Sequence, residues 1–327
     1  MSPQFFYIGA FVLAFIGCCA LLMLLIPRLR AMHMGQTILE IGPIWHAKKE
    51  GTPTMGGLAF ILISLLIALL LAPIAVRSIP QSELYPFYIT LLFCAANGAI
   101  GMVDDLTKLR HHRNEGLTPT QKLILQITFA AAYLALLRLC DLLDEALRLS
   151  LLGNLPFGFA TYFVLMILIL GIVNCANLTD GIDGLASAVA AIIFAAYTLL
   201  SARADAFAPT VLSIMLLGCS LAFFLFNHHP ARIFMGDTGS LFLGAGAVSI
   251  ALLLGNHLLP LICGIIYVIE GASVILQVIY YKATHKRLFL MAPIHHHFEK
   301  CGWSENKIVA VFSAVTALAC VLAAWLP

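Results

Sequence analysis

From Phe5 to Leu25 the chain runs twenty-one residues without a charged side chain, and a helix needs about 20 residues to cross a hydrocarbon core. Comparable stretches recur as far as Lys307 to Leu326, in a chain of 327 residues that is 61% hydrophobic and 10% charged. An ordinary soluble domain carries about 25% charged residues, so a water-soluble fold is excluded. Alternating segments about ten residues long, the mark of a membrane barrel, are absent, and helices are left to satisfy the backbone in lipid.

Apolar stretches broken by Pro, Gly and charge predict ten spans, near 4–26, 55–72, 86–103, 121–140, 159–176, 184–200, 209–226, 240–254, 259–281 and 307–326. No linker separates a second unit, so residues 1–327 read as a single integral membrane domain of the all-α polytopic class. The Leu-rich, amphipathic stretch 141–157 reads as an interfacial excursion rather than a span. The nine cysteines contain no CxxC pair and lie mostly in apolar runs, which reads as small reduced packing residues.

Ten spans place alternate loops on opposite sides. One set of loops holds Arg28, Arg30, Lys48, Lys49, Lys108, Arg110, Arg113, Lys122, Arg232, Lys282, Lys286, Arg287, Lys300 and Lys307, and the other only Arg77, Arg138, Arg148 and Arg203. The positive-inside rule assigns the first set to the cytoplasm and both termini to the periplasmic or extracellular side. Ten of the eleven histidines, all but His257, fall in or beside those basic loops, as do Asp104, Asp105, Asp180, Asp183 and Asp237. An active site is therefore expected at the cytoplasmic face. The net charge of +2 gives no footprint for nucleic acid.

Four constellations carry chemistry. In GMVDDLTKLR, Asp104 and Asp105 end the third predicted helix and Lys108 follows; this is either a solvated helix end with an i,i+4 pair, or an acidic pair whose repulsion a cation relieves. In NCANLTDGIDGLA, Asn177, Asp180, Gly181 and Asp183 offer amide, carboxylate and open backbone to a ribose or base, although Asp183 also reads as the cap of the sixth helix. In FNHHPARIFMGDTGSLFLG, the Gly236 region presents helix-start N–H groups to phosphate and Asp237 a hard oxygen suited to Mg²⁺; here too capping by Asp237 or Thr238 is the plainer reading. In APIHHHFEK, His295, His296 and His297 cannot all face one point, so a bent loop offering one or two imidazoles to phosphate is expected, and not a tri-histidine zinc site. Within the ninth span, Glu270 reads as structural, since the sequence names no partner for it, and Gln277 as lining the site.

Taken together, GTPTMGG at 51–57, the Asp104–Asp105 pair with Lys108, NLTDGIDGL at 177–185, FNHHPARIFMGDTGSL at 226–241 and PIHHHFE at 293–299 resemble the phospho-N-acetylmuramoyl-pentapeptide transferases, in the family's order and over essentially the whole chain. The resemblance implies ten transmembrane helices with both ends outside, in the bacterial inner membrane. It also implies a reaction of UDP-N-acetylmuramoyl-pentapeptide with undecaprenyl phosphate that gives lipid I and UMP and uses Mg²⁺. By the same resemblance Asp104 and Asp105 lie near the reacting phosphates and Asp237 is the principal Mg²⁺ ligand, with Asp104 and Asp105 as further candidates. Lys108 and Lys122 contact phosphate. Asn177, Asp180, Gly181, Asp183, Asn227 and Phe234 surround the uridine, with Lys49 and Thr54 at its edge. His295, His296 and His297 belong to a closing loop, His296 being counted among the catalytic groups. The chain reads as short for the family through trimmed loops, and a homodimer is compatible with the sequence. Two rivals stand beside this reading: a sister transferase using a UDP-N-acetylhexosamine, against which PIHHHFE counts, and a transporter or flippase, against which the clustering of motifs at one face counts.

Overall fold

The computed structural model describes residues 3–32, 49, 51–111, 116–149 and 153–325. Lys48 and Arg113 of the basic loops lie outside the described residues. In chain order the elements are α1 (Pro3–Ala31), α2 (Leu58–Ser78), α3 (Gln81–His111), α4 (Pro119–Leu139), β1 (Leu147–Leu149), β2 (Gly153–Leu155), α5 (Ala160–Thr179) and α6 (Leu185–Arg203). They continue with α7 (Phe207–Asn227), α8 (Gly236–Leu253), α9 (Leu259–Ile262), α10 (Ile265–Thr284), α11 (Ile294–Lys300) and α12 (Glu305–Ala324). Ten of these helices are long and apolar enough to cross a membrane, as the hydropathy pattern predicts. Ile8, Leu69, Phe163, Leu199 and Leu318 are exposed, as side chains facing lipid are.

Three local expectations are corrected, and that for 141–157 stands. The third span is longer than predicted, so Asp104 and Asp105 lie within α3 and do not end it. The predicted span 259–281 is broken: α9 stops at Ile262, and α10 starts afresh after Gly264. No candidate span falls among the described residues of 141–157, as expected; there β1 and β2 pair antiparallel with Leu147 opposite Leu155 and Arg148 opposite Asn154. The triple histidine sits on a short helix, α11, in place of a bent loop.

At the centre of the bundle stands α8, whose residues Thr238 to Leu252 are all buried beneath α3, α5 and α7. Small residues permit that depth: Gly244 lies against Val173 and Ala176 of α5. Polar groups inside the bundle find one another, as lipid requires. Tyr133 of α4 meets Thr90 of α3 at 3.0 Å, and Asn174 of α5 donates to Gln126 of α4 at 2.9 Å.

At the end of the bundle that carries the hairpin, His257 is buried and clips β1 to the loop after α8. Its backbone N–H donates to Arg148 O at 2.9 Å, and its Nδ1 accepts from Arg148 N–H at 3.0 Å. Burial pushes the His257 imidazole down to about 4, the Arg148 charge adding to the effect and Asp144 opposing it. The unfolded chain, with a histidine near the usual ~6.5, therefore binds more protons between those values. Stability supplied by the neutral ring is full above about pH 6.5 and is lost as pH falls toward about 4. Thermal midpoints in detergent are expected to drop over that window. The drop should be smaller in His257→Asn, whose Oδ1 accepts an N–H without titrating.

Candidate active site

Two of the sequence motifs are laid side by side by backbone pairing. Phe234 N–H donates to Pro53 O at 2.8 Å, and Gly56 and Gly57 N–H groups donate to Phe234 O and Met235 O at 2.9 and 3.0 Å. This brings the 51–57 segment against the start of α8, where Gly236 adopts a left-handed φ of 68°. A side chain at Gly236 would collide with Asp105 and crowd Thr54 Oγ1, so glycine is the residue this turn accepts.

Asp105, from α3, supplies the cap for α8. Its Oδ1 accepts from Asp237 N–H at 3.2 Å, and its Oδ2 accepts from Thr238 N–H at 3.0 Å and from the Thr238 hydroxyl at 2.7 Å. The capping that the sequence assigns to Asp237 or Thr238 is thus done across the bundle, which frees Asp237. Asp105→Ala is expected to lower stability by about 1–2 kcal/mol, read as a lower thermal midpoint in detergent.

Around Asp237 the charges converge. Its Oδ2 lies 2.6 Å from Lys122 Nζ and 3.2 Å from Lys108 Nζ, and its Oδ1 accepts from Asn177 Nδ2 at 2.8 Å. Lys108 also pairs with Asp104 Oδ2 at 2.6 Å, while Asp104 Oδ1 accepts from Leu117 N–H at 2.8 Å. Carboxylate oxygens of Asp104, Asp105 and Asp237 fall within 4.8 Å of one another. Three carboxylates face two ammonium groups, so one negative charge is left over in a nest of hard oxygen donors. That donor set fits a divalent cation of the magnesium class.

The 177–184 turn forms the neighbouring wall. Gly184, with a left-handed φ of 81°, is the residue before α6. Asp183 is therefore not the cap that the sequence offers. Its Oδ1 pairs with Lys49 at 2.7 Å, and its Oδ2 lies 3.0 Å from both Ala231 N–H and His229 Nδ1. Asn227 braces the turn from α7, accepting from Gly184 N–H at 3.1 Å and donating to Ile233 O at 2.9 Å. Asp180 has no such clamp among the described residues; burial pushes its carboxyl up to about 8, the charges of Asp237, Asp105 and Asp183 adding to the rise and Lys49 opposing it.

Glu305, at the start of α12, is the group that sequence reasoning misses. Its Oε2 lies 2.7 Å from Lys49 Nζ and accepts from Asp183 N–H at 2.8 Å, so Lys49 is held between two carboxylates. Beside Ser304, which caps α12, a Glu in the first turn reads from sequence as nothing more than helix-start chemistry.

The histidines divide as helical geometry requires. His295 is buried against Glu270 of α10, His296 Nδ1 lies 2.6 Å from Glu299, and His297 Nδ1 accepts from Leu290 N–H at 3.2 Å. Gln277 is engaged with the loop above it, its Oε1 accepting from Leu288 and Phe289 N–H groups at 3.1 and 2.8 Å. The structure thus brings Asp104, Asp105, Lys108, Lys122, Asn177 and Asp237 into one cluster, with Thr54 and Gly236 beside it, and Lys49, Asp183 and Asn227 into a second around the 177–184 turn. Gln277 and His297 brace the 285–293 loop between α10 and α11.

Residues 87–255 match the sequence profile described as glycosyl transferase family 4, and residues 49–61 match the phospho-N-acetylmuramoyl-pentapeptide-transferase signature 1. The chain is 43% identical over 312 residues to the phospho-N-acetylmuramoyl-pentapeptide-transferase of Levilactobacillus brevis, covering 95% of each protein. It belongs to the phospho-N-acetylmuramoyl-pentapeptide-transferase family. The protein of that name from Bacillus subtilis is 41% identical over 300 residues, 91% of each chain, and that from Clostridium acetobutylicum 41% over 304 residues, 92% of each. Coverage of this kind removes the expectation of trimmed loops, since the chain is as long as these relatives. With ten apolar spans, this member of the transferase family is a multi-pass protein of the bacterial inner membrane. Both profile matches pass through the site: the signature contains Lys49 and Thr54, and the wider profile contains the acid pair, Lys108 and Lys122, the 177–184 turn and Asp237.

Proposed function

We propose that this chain transfers phospho-N-acetylmuramoyl-pentapeptide from UDP-N-acetylmuramoyl-pentapeptide to undecaprenyl phosphate, releasing UMP and leaving lipid I in the bilayer, with residues 1–327 as one transferase domain. The observation that carries this reading is the cluster of Asp104, Asp105 and Asp237 faced by Lys108 and Lys122 at one end of a membrane bundle. A water-soluble diphosphate and a lipid phosphate can meet only at such an end. Fourteen of the eighteen Lys and Arg residues fall in the loops on that side, which supports a cytoplasmic site with both termini on the opposite face.

In this reading an oxygen of the lipid phosphate attacks the phosphorus that bears the sugar, and the bond to the oxygen bridging the two phosphorus atoms breaks, so that oxygen leaves with UMP. A phosphate monoester has its second pKa near ~6, so the nucleophile is already ionised at neutral pH and needs no strong base. Asp104, pinned by Leu117 N–H and Lys108, orients that phosphate. Lys108 and Lys122 offset the repulsion between the two phosphate anions, and Asn177 fixes Asp237. Mg²⁺, when bound, would supply positive charge to the diphosphate and the departing UMP. Asp237 and Asp104 would hold it, while Asp105 caps α8. The 177–184 turn with Lys49 takes the uridine side, and the packed helices exclude water from the transfer.

The test is UMP release from radiolabelled donor in detergent. Turnover is expected to require both undecaprenyl phosphate and Mg²⁺ and to fall away when a UDP-N-acetylhexosamine replaces the muramoyl-pentapeptide donor. Equal turnover with the hexosamine donor would reassign the substrate, and trapping of a phosphate adduct on Asp104 or Asp105 would overturn direct attack.

A further inference from the structure

Glu270 lies inside a membrane-spanning helix with its side chain wholly buried. A carboxylate at such a place needs a partner, and intramembrane acids usually mark function. Its near neighbour is His295: Oε1 lies 3.1 Å from Nδ1, and the His295 side chain is also wholly buried. Among the described residues, neither carboxylate oxygen and neither ring nitrogen has an aligned hydrogen bond. The approach of Oε1 to Nδ1 is the one polar contact these four buried atoms show among the described residues, an arrangement that native cores rarely retain without a use.

The other side of the imidazole gives that use a direction. His295 Nε2 abuts Gly181, so closely that a side chain there would overlap the ring. Gly181 stands between Asp180 and Asp183 in the turn assigned above to the nucleotide. Gly271, the next residue after Glu270, packs against Cys175 Sγ, which seats α10 directly on the helix that leads into that turn. A carboxylate on Nδ1 sets which ring nitrogen carries the proton and which way the other one points.

We propose that Glu270 is a positioning residue: through His295 Nδ1 it holds the imidazole so that Nε2 is presented to the Asp180–Asp183 turn and the nucleotide bound there. The proposal rests on the transferase reading and adds to it a residue in the membrane interior that touches no substrate. It also accounts for Gly181, whose missing side chain is the space the ring occupies.

Donor turnover by Glu270→Gln and Glu270→Leu, each checked for monodispersity and thermal midpoint, tests this. Gln keeps the shape and can still accept from Nδ1–H, while Leu removes the acceptor. The expected result is a kcat lowered about 10-fold in E270Q and up to about 100-fold in E270L, the range seen when groups orienting a functional histidine are removed. The KM for the donor should stay within about threefold of wild type, because Glu270 touches no substrate and the Lys49–Asp183 clamp on the turn is intact. A purely structural role predicts the reverse, a lowered thermal midpoint with kcat per folded molecule unchanged, and that result overturns the proposal. So does full activity in E270Q with no change in E270L. Should E270L fail to fold, the kcat of E270Q decides alone. Wild-type protein that releases no UMP in the same assay would instead count against the transferase reading.

Discussion

Asp237→Asn is expected to lower UMP release by about 10³-fold or more, about 4 kcal/mol of transition-state stabilisation, in a protein that still folds. The substitution keeps the size of the side chain, and the new amide oxygen can still accept from Asn177 Nδ2, now at 2.8 Å from Asp237 Oδ1. What disappears is the charge that faces Lys122 at 2.6 Å and Lys108 at 3.2 Å. Lys108 retains Asp104, but Lys122 loses its one anionic partner among the described residues. The cluster then passes from one net negative charge to none, and its attraction for a divalent cation goes with it. Binding of Mn²⁺, followed by its paramagnetic signal in purified protein without substrate, should weaken in parallel with activity. Retention of more than a tenth of wild-type turnover would remove Asp237 from the centre of the site.

The number of spans is legible in the sequence because hydropathy is a local property: each span is a run of apolar residues long enough to cross lipid, whatever it packs against. The break before α10 and the hairpin at 147–155 are not local in that sense. Apolar residues flank Gly264 on both sides and hydropathy runs on through it. The hairpin is held by His257, 109 residues from its partner Arg148.

The candidate site divides along the same line. Asp180, Asp183 and Asp237 stand out because acids beside glycine next to apolar helices have few ordinary explanations, and Asp104 and Asp105 because two adjacent carboxylates follow an apolar run. What each acid does is set by distant chain. Capping is the natural guess for Asp183 and for Asp237, since both adjoin helix starts. In the fold, Gly184 takes the place before α6 and Asp105 reaches across from α3 to cap α8. Both guessed caps are thereby freed to meet lysines. Glu305 is illegible for the same reason, its partners lying 122 and 256 residues away in sequence. Glu270, read as structural for want of a partner, finds one in the triple histidine, at the residue that packs inward from α11.

Lys49→Met is expected to do more harm to binding than to chemistry, and to do it through charge. Lys49 Nζ sits 2.7 Å from both Asp183 Oδ1 and Glu305 Oε2, with side-chain exposures of 2% and 11% for the two acids. Removing the ammonium leaves two poorly hydrated carboxylates side by side, and stripping one partner from a buried pair typically costs about 3–5 kcal/mol. The lower end applies here, about 3 kcal/mol, because Asp183 keeps Ala231 N–H and His229 and Glu305 keeps Asp183 N–H. A lower thermal midpoint should accompany a donor KM raised at least about tenfold, since the 177–184 turn loses the clamp that sets its shape. If repulsion is the cause, Glu305→Gln in the Lys49→Met background removes one of the two facing charges and recovers part of the stability, at least about 1 kcal/mol of it. It does so without restoring donor affinity, because the Lys49 ammonium, on the side proposed for the uridine, is still missing. A double variant no more stable than Lys49→Met alone would mean that Lys49 contributes by packing its aliphatic stem, and not by holding two acids together.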